Sequence, residues 1–116
     1  MAHLVINDGR AQLKLSPLEI LGAVHGSPEV ALAEIDSIEV VANPWAGGIL
    51  KGMRIGTGVP LIALLGTMKY VGGKDFCVIY KRRPNAVIML KSGPFKRWIF
   101  EIKDLSEIDA LKKAIA

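Results

Sequence analysis

The sequence predicts a mainly β domain closed by one amphipathic helix at its C-terminal end. Short alternating apolar runs recur between clusters of Gly, Pro, Asn and Asp, with twelve glycines and six prolines spread along 116 residues. The helical period, with apolar residues three or four apart, is clearest near the end, where Leu105, Ile108, Leu111 and Ile115 form a stripe. Hydrophobic residues make up 51% of the chain, enough for a core and too many for a disordered segment. The length fits one domain, residues 1–116.

Leu4 and Ile6, then Leu13 and Leu15, alternate with polar positions on either side of Asn7-Asp8-Gly9-Arg10. Asp-Gly between two such runs predicts a hairpin, because both residues tolerate positive φ. Ser16-Pro17-Leu18-Glu19 carries a helix cap, a proline suited to the first turn, and the acid of a capping box. Gly22 and His25-Gly26-Ser27-Pro28 stop that helix early, so it is short and lies near residues 17–24. Val30 to Val40 returns to strand, clearest over 38–42 and ending at Asn43-Pro44.

Five glycines between 47 and 58 oppose a regular helix and predict bends and close backbone approaches, with 52–60 read as a loop. Leu61 to Tyr70 reads as a strand with Gly66 as a bulge, and Val71 to Asp75 as a turn. Phe76 to Tyr80 is apolar on both faces, which predicts a strand packed on both sides. Arg82 to Asn85 turns the chain toward a partner strand over 86–90. Trp98, Phe100 and Ile102 then share one face of a last strand, with Glu101 and Lys103 on the other. In the closing helix, Ser106 three residues before Asp109 is a weaker capping pair. Asp104, Glu107 and Asp109 come early and Lys112 and Lys113 late, as the helix dipole favours.

Charge is divided unevenly. Residues 1–45 carry a net of −4, and residues 51–97 a net of +9 with Asp75 as their one acid. Such a division bears on partners and says nothing of chemistry. Cys77 has no cysteine to pair with and lies in an apolar run, which fits a buried thiol in a reducing compartment. Met1 to Asp8 holds no basic leader, and the longest apolar patch, Val59 to Leu65, is far shorter than the about 20 residues of a membrane helix. The expected location is cytoplasmic, with peripheral contact at the inner membrane surface as the alternative.

Six to eight short strands followed by a C-terminal helix resemble the pleckstrin-homology-like fold, in particular its small bacterial members. The likeness rests on Leu13 to Glu19, Trp45, the Gly52–Pro60 segment, Phe76 to Tyr80 and the helix after Asp104. It implies a curved antiparallel barrel, or two packed sheets, plugged by residues 105–116, and a tendency to form homo-oligomers. Relatives of this kind serve as adaptors that use loops for phosphoinositides or edges for peptides. The usual basic cluster at the first hairpin is missing here, where Arg10 stands beside Asp8.

No catalytic residue is assigned, no cofactor is implied and no metal site is expected. His3 and His25 are far apart, Cys77 has no neighbouring base, and Glu34 with Asp36 reads as a solvated pair. Gly52 to Gly58 lacks the Gly-Lys-Ser/Thr ending of a phosphate loop. The expectation is a non-enzymatic binding or scaffold module that contacts a partner protein or a second copy of itself. Trp45, Leu61, Cys77 and Ile79 are the candidate interface residues. The alternative is weak binding to anionic lipid headgroups through Lys51, Arg54, Arg82, Arg83, Lys96 and Arg97, with Phe95 as a shallow insertion point. Nucleic acid is disfavoured, since aromatic residues are sparse among the basic ones and the closing helix is acidic.

Overall fold

A computed structural model of the chain describes residues 3–23, 26–41, 53–59, 63–70, 72–80, 84–91, 95–101 and 105–115. Asp8 and Gly9 take φ of 49° and 73° and turn β1 (His3–Asn7) onto β2 (Arg10–Lys14). The expected hairpin is present, with Asn7 opposite Arg10. The capping box also forms at α1 (Pro17–Ala23). Ser16 Oγ accepts from the Glu19 N–H at 3.2 Å, and Glu19 Oε1 accepts from the Ser16 N–H at 2.9 Å. β3 (Glu29–Ala31) then pairs with β2 to complete a three-stranded sheet.

A single 3-10 turn at Leu32–Glu34 leads into β4 (Ile35–Val41). There follow β5 (Met53–Val59), β6 (Ala63–Tyr70), β7 (Gly73–Tyr80), β8 (Asn85–Leu90) and β9 (Arg97–Glu101). Together with β4 they form a six-stranded sheet ordered β4-β8-β9-β7-β6-β5. α2 (Leu105–Ile115) closes the described chain.

The fold is mainly β with two sheets and a C-terminal helix, but the described strands do not close into a barrel. β4 and β5 end the larger sheet without meeting, and the smaller sheet is separate. Nor is the pairing wholly antiparallel. β9 inserts between β7 and β8 and runs parallel to β7, so β8 pairs with β4 and β9 in place of the expected β7. Residues 53–59, expected in a loop, are an edge strand paired with β6. Gly66 has φ 130° yet makes no bulge, since the register runs through it against both Gly56 and Cys77. The irregularity lies in β4, between Ile35 and Ser37.

One core joins both sheets and the helix. Leu4, Leu13 and Val30 of the small sheet, with Leu15 just after β2, share one buried cluster with Phe76, Val78, Ile88, Trp98 and Phe100 of the large sheet and with Ile108 and Leu111 of α2. Each large apolar side chain buried there contributes about 1.5–3 kcal/mol. Glu107 Oε1 accepts the Leu4 N–H at 3.1 Å, which fastens α2 to β1. The other face of the large sheet buries Leu64, Cys77, Ile79, Val87 and Ile99, so β7 is packed on both faces as its composition predicts. Glu101, on the face of β9 opposite Trp98 and Phe100, is buried as well. Phe95 is buried with its ring centroid 5.3 Å from that of Phe76, so it is not an insertion point.

Candidate functional site

Register sorts the basic residues by position. β5, β7 and β9 begin at one end of the large sheet, where β6 and β8 finish. Lys69 and Lys74 are directly opposite there, with Lys96 and Arg97 at the start of β9 and Lys91 just after β8. Arg54 lies on β5 opposite Met68, near the same end. Lys51, Arg82 and Arg83 lie outside the described residues, as do Trp45 and Leu61. Of the expected anion set, the described Arg54, Lys96 and Arg97 lie toward this one end, with β6 and β7 between Arg54 and the other two.

Of these, Arg97 is committed to the protein itself. Its Nη2 and Nε donate to Asp75 Oδ2 at 2.6 and 3.0 Å, and Tyr70 OH donates to Oδ1 at 2.7 Å. Asp75 is 1% exposed. Burial alone lowers the Arg97 pKa, but the carboxylate beside it outweighs that and the net shift is upward. Burial, then the bond to Asp75, raises Tyr70. The sequence carried a signal for this arrangement, because Asp75 is the one acid among ten cations over 51–97.

The lysines at the same end are differently placed. Lys69, Lys74, Lys91 and Lys96 make no ion pair among the described residues. Lys74 holds its ammonium 5.2 Å from the Phe95 ring centroid, a cation–π contact. Like charges directly opposite across a pair, as at Lys69 and Lys74, oppose folding by about 0.2–1 kcal/mol.

At the lateral edge, β4 pairs with β8 alone among the described residues. Asp36, Ser37, Glu39 and Val40 are exposed, Val40 by 45%, while Ile38 and Val41 are half-buried. Neither edge carboxylate has an ion-pair partner among the described residues. The pattern over 38–42 predicts a strand and says nothing of an edge. Which strand ends a sheet depends on long-range pairing, and nothing local announces it.

The remaining expected interface residues are internal. Cys77 and Ile79 have no exposed surface, so they offer nothing to a partner and serve the second core cluster. Burial, then the Asp75 charge, drives the Cys77 thiol far up from its usual range, so at neutral pH it is a packed thiol and not a nucleophile. Glu19 is spent in the same way, bonded to Ser16 and to Tyr80 OH at 2.5 Å. A shallow depression of about 390 Å³ crosses the outer face of the small sheet. Its charged lining includes Arg10 and Glu29, which pair with each other, and Lys14. Among the described residues no three His, Cys, Asp or Glu side chains gather as metal ligands, and no helix is long and apolar enough to cross a membrane.

Set against protein-family models, curated proteins and solved structures, the chain matches none of them.

Proposed function

We propose that the protein is a non-enzymatic binding module that holds an extended, basic segment of a partner protein along the outer side of β4. The observation that carries this reading is a seven-residue edge strand whose Asp36 and Glu39 have no ion-pair partner among the described residues, beside a half-exposed Val40. An unpaired edge offers a row of backbone donors and acceptors to an incoming strand. Side chains on that strand would alternate between the apolar face of Ile38 and Val40 and the acidic face of Glu39. A basic segment finds opposite charge there. A second copy presenting the same acidic edge meets like charge, so the edge selects against self-pairing. Glu19, Tyr70, Asp75, Tyr80 and Arg97 are engaged in structural bonds, which favours a binding role over a catalytic one for them.

The test is fluorescence anisotropy with an extended peptide in which lysine and valine alternate. It binds, while the glutamate-valine counterpart does not, and methylation of alternate backbone nitrogens abolishes binding. Glu39→Lys weakens the lysine peptide several-fold without lowering Tm. Equal binding of acidic and basic peptides, or indifference to backbone methylation, rejects strand addition. A stable dimer by light scattering that Glu39→Lys dissolves would show a second copy at this edge in place of a basic partner.

A further inference from the structure

We propose that the end of the large sheet around Gly72 and Gly73 is an electrostatic docking surface for an anionic lipid bilayer, formed by Lys69, Lys74 and Lys96. The three lysines flank the β6–β7 turn. Lys69 and Lys74 stand directly opposite on the face that carries Phe76. Lys96 lays its stem across Gly73, where a Cβ would lie 2.5 Å from its Cγ, and its N–H donates to the Lys74 carbonyl at 2.7 Å. The missing side chain at Gly73 is what lets that stem cross the turn. The acid next in sequence, Asp75, is buried and engaged by Arg97 and Tyr70, so it does not neutralise them. Lys91 stands nearer the acidic edge, its N–H donating to the Glu34 carbonyl, and contributes less.

The form of this surface favours a membrane plane over a nucleic acid. Its cations stand around a turn at the tip of a sheet. Phe95 and Trp98 are buried, so neither gives bases a stacking platform, and Arg97 is spent on Asp75. Lysines act as point charges and suit a diffuse anionic plane. With no apolar wedge among the described residues at that end, the contact is reversible and weakens as salt rises. The strands then stand end-on to the bilayer, and the β4 edge remains open along its length.

Sedimentation with phosphatidylcholine vesicles, with and without phosphatidylglycerol, tests this. The protein partitions onto the anionic vesicles only. Each of Lys69→Gln, Lys74→Gln and Lys96→Gln lowers partitioning about five-fold, and the triple variant about a hundred-fold. Lys14→Gln, on the outer face of the small sheet, changes nothing. Equal partitioning onto both vesicle types overturns the proposal, as does wild-type binding by the triple variant. Release from vesicles by an equal charge of single-stranded oligonucleotide would assign the surface to nucleic acid and overturn it too.

Discussion

Arg97 lies directly across the parallel β7–β9 pair from Asp75 and gives two N–H groups to one of its carboxylate oxygens, at 2.6 and 3.0 Å. Tyr70 holds the other oxygen at 2.7 Å. Three neighbouring strands are thereby pinned at one end by a group that is 1% exposed.

Removing one partner of a buried pair strands the other charge. Arg97→Met is expected to cost about 3–5 kcal/mol in urea denaturation, because Asp75 is left without its counterion. Tyr70→Phe costs about 2 kcal/mol, the range of a hydrogen bond to a charged group. Adding Asp75→Asn to Arg97→Met recovers part of the loss, since no buried charge remains. A double-mutant cycle without coupling between positions 75 and 97 would contradict this account.

The α1 cap makes a second prediction, this one in pH. Burial alone raises the Glu19 pKa, but the Ser16 N–H, the Tyr80 hydroxyl and the Ser16 hydroxyl outweigh it and the net shift is down from 4.5. A carboxyl depressed in the folded state stabilises above its unfolded pKa, and that contribution is lost as pH falls through the lower folded value. Tm should therefore fall below about pH 4.5, and Glu19→Gln should flatten that limb while lowering Tm at neutral pH. Tyr80 behaves in the opposite sense. Burial first, then Glu19, raises its pKa above 10.0, so its contribution is full below pH 10.0 and lost in strong alkali. Tyr80→Phe makes the alkaline limb shallower, leaving the shares of Tyr70 and Cys77, and frees Glu19 from one bond.

Local chemistry was legible in the sequence, and long-range pairing was not. Asp8-Gly9, Ser16 to Glu19 and the stripe through Ile108 and Leu111 fold as read, because each is decided by residues a few positions apart. The insertion of β9 between β7 and β8 depends on contacts some twenty residues apart, and alternation along each strand is the same in either order. The same blindness made Arg97 read as a surface cation and Cys77 with Ile79 as interface. Only the sheet order shows that Arg97 faces Asp75 and that β7 is central. At the acidic edge, the residues of β4 were visible, but their place at the margin of a sheet was not.

Cys77 supplies a third prediction. With no exposed surface and a thiol pushed well up by burial, it reacts only when the sheet opens. Labelling by a thiol-specific disulfide reagent should be slow in buffer and immediate in denaturant. Across destabilised variants such as Arg97→Met, the labelling rate should rise with the loss of stability. Fast labelling of the native wild-type protein would mean that β7 is reached by local opening instead.

Gly73 and Lys96 make the last prediction, one of sign. A Cβ at position 73 would stand 2.5 Å from Lys96 Cγ and 3.0 Å from Cε, so Gly73→Ala displaces the lysine stem. The expected cost is about 1 kcal/mol, the low end for overpacking, because Lys96 is exposed and can move. In a Lys96→Ala background that collision is gone. There the same substitution should stabilise by about 0.4–1 kcal/mol, through the smaller conformational entropy of the unfolded chain. A cost that persists unchanged in the second background would mean that the backbone at Gly73, and not the crossing side chain, is what requires glycine.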